Sequence, residues 1–285
     1  MTSTPGPGFA LSDFLVVTGA SAATVVLLMA LVAALVRSRG RIAVVDVVWG
    51  LGFVAVALVS LVLGLVLISD RVVDEASAGT AAGLRPWLLL VLVVLWGGRL
   101  AWHIGRRSRG AGEDPRYEEL MARGTGGLFR KVLLPQGAAI WFVSLPVQVS
   151  AVSWGAFGIL TWLGVALWLL GMVFESVGDA QLTAYRARPR ESRPPVMDTG
   201  LWRYTRHPNY FGDACAWWGI WLVAADAWPG VLTVLSPVVM TFFLVKATGA
   251  RLLEKTMMQR PGYPEYAART SMFFPLPPKS SVPVS

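Results

Sequence analysis

Seven apolar stretches alternate along the chain with short polar segments, and each is close to the length of one membrane crossing. A hydrocarbon layer takes roughly 20 helical residues to cross. On that measure the pattern predicts spans at 12–36, 42–68, 86–105, 132–151, 154–178, 209–226 and 229–249. Residues 1–11 hold Pro and Gly but no basic stretch, and the first apolar run lacks a signal-type cleavage site, so it reads as a retained helix. The expected architecture is all-α: a polytopic integral membrane protein of about seven transmembrane helices. A single domain is expected over 12–274, with the motif-bearing region at 130–274 and disordered ends at 1–11 and 275–285.

Composition agrees with the pattern. Of 285 residues, 55% are hydrophobic and only 15% charged, 13 are Trp, and the mean hydropathy is +0.57. No ordinary soluble domain of this length has that make-up. A lone cysteine, Cys215, excludes an internal disulfide and a thiolate metal cluster. His103 and His207 lie far apart with no ligand spacing around them, so no metal site is expected.

All of the 25 Lys and Arg except Arg71, Arg85 and Arg99 fall in four clusters, at 37–41, 106–131, 186–206 and 246–279. In a seven-span arrangement these share one side. The positive-inside rule makes that side cytoplasmic, with the N-terminus outside and the C-terminus inside. The net charge of +8 is then a topology signal plus attraction to anionic membrane lipids, and nucleic acid is not an expected partner. A bacterial inner (plasma) membrane is the expected location.

Polar residues inside the apolar runs are costly in lipid and therefore mark function. They recur four apart: Asp46 with Gly50, Arg99 with His103, Glu175 with Asp179, and Asn209 with Asp213. Each pair shares one helix face, and these faces can converge on one polar cavity. Gly97, Gly98, Gly171 and Gly178 read as close-packing positions. The segments RRSRGAGEDPRYEELMAR and YRARPRESRPP are rich in arginine, whose forked guanidinium suits phosphate. With Arg203, Arg206, His207, Arg251, Arg260 and Arg269 they form a cradle for a ligand with several phosphates, such as a nicotinamide dinucleotide. No Gly-rich GxGxxG fingerprint follows a strand, which excludes a soluble Rossmann domain.

The stretch GLWRYTRHPNYFGDACAWWG, Gly200 to Gly219, resembles the C-terminal motif of the membrane steroid 5α-reductase family, in particular its bacterial domain-of-unknown-function branch (DUF1295 type). The resemblance runs over about 40–278 and implies binding of NADPH. By the resemblance, Asn209, Tyr210 and Asp213, with Asp179 on the preceding helix, hold the nicotinamide end. Arg99 matches the family's cofactor-binding arginine, and Arg203, Arg206, His207 and Arg251 supply phosphate contacts. The tail RPGYPEYAARTSMFFPLPP, with Tyr263 and Tyr266, resembles a lid near the adenine ribose. The family's enone-polarising tyrosine is matched by Trp96 in this chain, so Asp46, His103 and Tyr210 are the candidate catalytic groups, polarising a lipid-like substrate that enters from the bilayer.

Two other readings stay open. RYTRHPNY with Glu254 and GYPEY also resembles the isoprenylcysteine and phospholipid methyltransferases, which use S-adenosylmethionine. The third is a non-catalytic lipid-binding or transport protein.

Overall fold

The structure, a computed structural model, describes residues 9–39, 44–72, 83–108, 129–153, 155–247 and 249–279. The arginine-rich loop that spans 109–128 lies outside the described residues. The described chain is helical: α1 (Leu11–Arg39), α2 (Val44–Val72), α3 (Arg85–Ser108), α4 (Leu134–Val143, entered through a π-turn at Phe129–Leu133), α5 (Leu145–Ser150), α6 (Ile159–Ala187) and α7 (Pro208–Ala225). A 3-10 turn at Gly230–Val234 leads into α8 (Leu235–Phe242), a π-turn at Phe243–Ala247, α9 (Ala250–Met257) and α10 (Tyr263–Arg269). Among the described residues β pairing is limited to one isolated parallel bridge, Thr205 to Ser271.

Six of these segments are long and apolar enough to cross a membrane: Leu11–Ser38, Val45–Leu67, Arg85–Ser108, Phe129–Ser150, Ile159–Ala187 and Gly230–Met257. The protein is therefore an all-α, multi-pass integral membrane protein. The seventh expected span forms as the 18-residue helix α7, but Asn209 and Asp213 dilute its apolar content and it is not among the six. The lipid-facing character of the spans shows in side chains such as Leu27, Val26 and Ile159, which are 71%, 66% and 71% exposed.

The fourth span is broken at Ser144, and its sequence explains the break. Pro146 has no N–H to continue the ladder. At the break the Ser144 hydroxyl donates to Ile140 O at 2.7 Å, and Gln148 Nε2 donates to Trp141 O at 2.8 Å.

The chain groups into two compact units, Met1–Gly164 with Ile220–Ser236, and Val165–Gly219 with Pro237–Ser285. In the first unit α2 and α3 run antiparallel and touch at Gly50 and Gly97: a Cβ on Gly50 would lie 2.5 Å from the Gly97 carbonyl oxygen. Gly50 is thus a contact point, not part of a polar face. Gly97 packs as expected, whereas Gly98 has no described atom within 4 Å of where its Cβ would be. Trp96 is fully buried in an edge-to-face ladder with Phe53 and Trp49.

The start of α6 in the same unit is anchored by Asp226. One carboxylate oxygen accepts from Gly158 N at 2.5 Å, Thr161 N at 3.2 Å and the Thr161 hydroxyl at 2.5 Å. These are donors that a helix N-terminus leaves without partners. Fully buried Arg85 lies 4.0 Å from the same oxygen and donates to Ala156 O at 2.7 Å. Asp226→Ala is expected to lower stability by about 1–2 kcal/mol, the worth of a cap, read as a lower melting temperature in nanodiscs. Asp226→Asn should recover part of the loss.

Chain ends expected to be disordered are partly built in. Phe9 packs against the cluster of Val17, Ala151 and Val152, and Leu11 already opens α1. At the other end Leu276 N donates to Tyr204 O at 3.0 Å and Lys279 N to Arg269 O at 2.9 Å. Residues 1–8 and 280–285 lie outside the described residues.

Candidate functional site

The motif loop in the second unit is held from two sides. Toward α6, Trp202 Nε1 donates to Gly178 O at 3.0 Å and Leu201 N to the Gln181 side chain at 3.0 Å. Gly200, at φ 62°, makes the turn that starts the loop, a conformation glycine adopts without strain. From the other side comes the C-terminal strap. Arg206 N donates to Ser271 O at 2.9 Å, the Thr205 hydroxyl donates to Phe273 O at 2.8 Å, and Tyr266 OH donates to Trp202 O at 2.5 Å.

Arg206 is the hub. Its Nε and Nη2 form a fork on Glu254, at 2.6 and 2.9 Å from Oε1 and Oε2. Its Nη1 donates to Ala267 O at 2.6 Å and Thr270 O at 2.8 Å, capping the carbonyl end of α10. His207 Nε2 lies 3.2 Å from Glu254 Oε1; a carboxylate only accepts, so this nitrogen carries the proton. Tyr263 OH completes the cluster at 3.5 Å from the same oxygen. Burial, and next the Glu254 charge, push the Tyr263 phenol well above its ordinary value; burial does the same at Tyr266. Both tyrosines stay protonated donors.

Arg206 and His207, expected to anchor phosphate, face Glu254 and the strap. Tyr263 and Tyr266 are buried staples of the strap and line neither of the cavities described below.

α7 leaves the loop at Pro208. His207 stacks on Tyr210, with ring centres 5.4 Å apart and planes 8° from parallel. One turn on, Gly212 brings α7 against α6: a Cβ there would lie 2.5 Å from Gly171 O and 2.7 Å from Glu175 N. Gly178 packs on Pro208. Asp179, Asp213 and Glu175 are buried along these two helices, and Asn209 is half-buried at the start of α7. Trp217 is fully buried, and Trp218 Nε1 donates to the Thr241 hydroxyl at 3.1 Å.

Two of the cavities among the described residues belong to this unit. One, of about 540 Å³, is lined by Arg203, Arg269 and Lys279 with Asp198, Thr199, Gly200, Thr270 and Pro278, and Arg269 is ion-paired with Asp198 on its wall. The other, of about 470 Å³, holds Arg251 with Lys246, Lys255 and Glu254. Arg206 bonds a wall residue of each, Thr270 and Glu254. Arg203 and Arg251, grouped together in the sequence reading, therefore belong to different cavities. Lys279 is absent from the expected set because a Pro- and Ser-rich tail reads as disordered.

The remaining expected site residues, Asp46, Arg99 and His103, lie in the first unit. Asp46 is in the first turn of α2; Arg99 and His103 follow Gly97 along α3 and are half-buried. In the antiparallel α2–α3 pair, contact of Gly50 with Gly97 sets Asp46 level with the Arg99–His103 turn.

The "Uncharacterized protein C594.04c" of Schizosaccharomyces pombe is 26% identical over 222 residues, which is 68% of this chain and 64% of that protein. The match thus spans less than two thirds of the relative's length. No solved structure matches the chain. A family model covers residues 32–270, from the first span through the strap, and the chain accordingly belongs to the family described as "Protein of unknown function (DUF1295)".

Proposed function

We propose that the protein is an NADPH-dependent membrane oxidoreductase that reduces an activated carbon–carbon double bond of a hydrophobic, lipid-like substrate. The observation that carries this reading is the cavity of about 540 Å³ lined by Arg203, Arg269 and Lys279, beside the loop that leads into Asn209, Tyr210 and Asp213. Its three cations against one carboxylate fit the phosphates of a dinucleotide, and its size is that of an ordinary ligand pocket. The likeness of Gly200–Gly219 to the steroid 5α-reductases supports the same cofactor. Asn209, Asp213 and Asp179 would hold the nicotinamide end. NADPH, when bound, supplies the hydride.

The chain must supply a proton donor where negative charge builds on the substrate oxygen. Tyr210 is the best-held candidate, because its ring stacks on His207, which Glu254 fixes in turn. The basic side of the molecule faces the cytoplasm in this reading, and the host membrane is a bacterial inner membrane.

The test is the melting temperature of the purified protein with NADPH, NADH or S-adenosylmethionine, since a ligand that binds only the folded state raises it. NADPH is expected to raise it, and Asn209→Ala to weaken that binding by about tenfold, or ~1.4 kcal/mol. A shift with S-adenosylmethionine alone would replace reduction by methyl transfer, a chemistry that the Arg206–His207–Glu254 contact also accommodates. No shift with any of them would leave lipid binding or transport.

A further inference from the structure

The cavity of about 470 Å³ has a different character from its neighbour. Lys246, Arg251 and Lys255 line it, and Leu252, Met258 and Met272 give it apolar surface. Its single acid, Glu254, is turned to Arg206 and His207. Among the described residues no carboxylate forms an ion pair with Lys246, Arg251 or Lys255. Arg251 and Lys255 stand four apart on α9 and so share a face. The cavity also lies where the last apolar span gives way to charged sequence, VLTVLSPVVMTFFLV being followed by Lys246, Arg251 and Lys255. That is the depth of lipid headgroups.

Uncompensated cations beside exposed Leu and Met, at the membrane boundary, match a molecule with an anionic head and an apolar chain. A free anion would leave the apolar half unused, and a neutral lipid would leave three cations without a counter-charge. We propose that this cavity binds a single-chain amphiphile with a phosphate or carboxylate headgroup, the head on Lys246, Arg251 and Lys255 and the chain along Leu252, Met258 and Met272. Its identification as the substrate rests on the reductase reading; the binding itself does not.

The experiment uses the full chain in nanodiscs of phosphatidylcholine, which has no net charge, with dodecyl phosphate, dodecanol or inorganic phosphate added in turn and the melting temperature recorded. Dodecyl phosphate is expected to raise it, with no rise from the other two. Lys246→Gln/Lys255→Gln should lose this rise, and Lys246→Arg/Lys255→Arg should keep it. An equal rise with inorganic phosphate would reduce the cavity to a free-anion site, and an equal rise with dodecanol would leave only an apolar contact; each overturns the proposal, as does a rise that survives the Gln variant. NADPH is tested in parallel on the same samples. A rise with NADPH but none with dodecyl phosphate removes the amphiphile and leaves the reductase, whereas the reverse result removes the reductase and leaves the amphiphile site.

Discussion

Arg206→Ala is expected to lower stability by about 3–5 kcal/mol, the cost of removing one partner from a buried ion pair. The pair is well shielded, with side-chain exposures of 11% for Arg206 and 14% for Glu254. The substitution leaves Glu254 with its charge and only the weaker donors His207 and Tyr263. It also strips two carbonyls at the end of α10 of their donor. The effect should be local before it is global: amide exchange in Tyr263–Arg269 rises first, because the strap loses its main tie. Arg206→Ala/Glu254→Ala should be less damaging than the sum of the single changes, which a double-mutant cycle on melting temperature measures. Simple additivity would mean that the fork contributes nothing beyond its separate parts.

Gly212→Leu is expected to abolish the folded state. Overpacking a core costs about 1–3 kcal/mol when side chains can shift. Here the nearest atoms are backbone, Gly171 O at 2.5 Å and Glu175 N at 2.7 Å from the position of a Cβ, so relief requires α6 and α7 to part. The loss should exceed about 3 kcal/mol and appear as absence of monodisperse protein after detergent extraction. Gly98→Ala is the matching control. With no described atom within 4 Å, it should be neutral or stabilise by up to about 1 kcal/mol, the helix-propensity difference between Gly and Ala.

Apolar run length was enough to read the spans, because crossing a bilayer imposes a length that composition alone reveals. Helix ends moved by only a few residues for 12–36 and 86–105, which are observed as Leu11–Arg39 and Arg85–Ser108. The span at 209–226 shows the limit of that reading: Asn209 and Asp213 make it legible as a site, and its helix is not among the six long and apolar enough to cross a membrane. Within the site, residue type does not reveal what a side chain touches. An arginine next to a histidine reads as an anion cradle, and Arg206 has an anion, but it is Glu254, 48 residues further on. No local period encodes a contact between a loop and a helix so far downstream. The signal available was the presence of Glu254, an isolated acid in a basic tail. Asp226 and Arg85 were missed for the same reason, since each looks like an ordinary loop charge until the fold brings them to the start of α6.

Hydride transfer from NADPH to a lipid is tested by incubating the purified protein in nanodiscs with NADPH deuterated at the nicotinamide C4 and a membrane lipid extract, followed by mass spectrometry of the lipids. The account predicts a saturated lipid product that carries one deuterium, formed by the wild-type protein and strongly reduced with Asn209→Ala. Lipids free of deuterium, with methylated lipids formed when S-adenosylmethionine replaces NADPH, would contradict it.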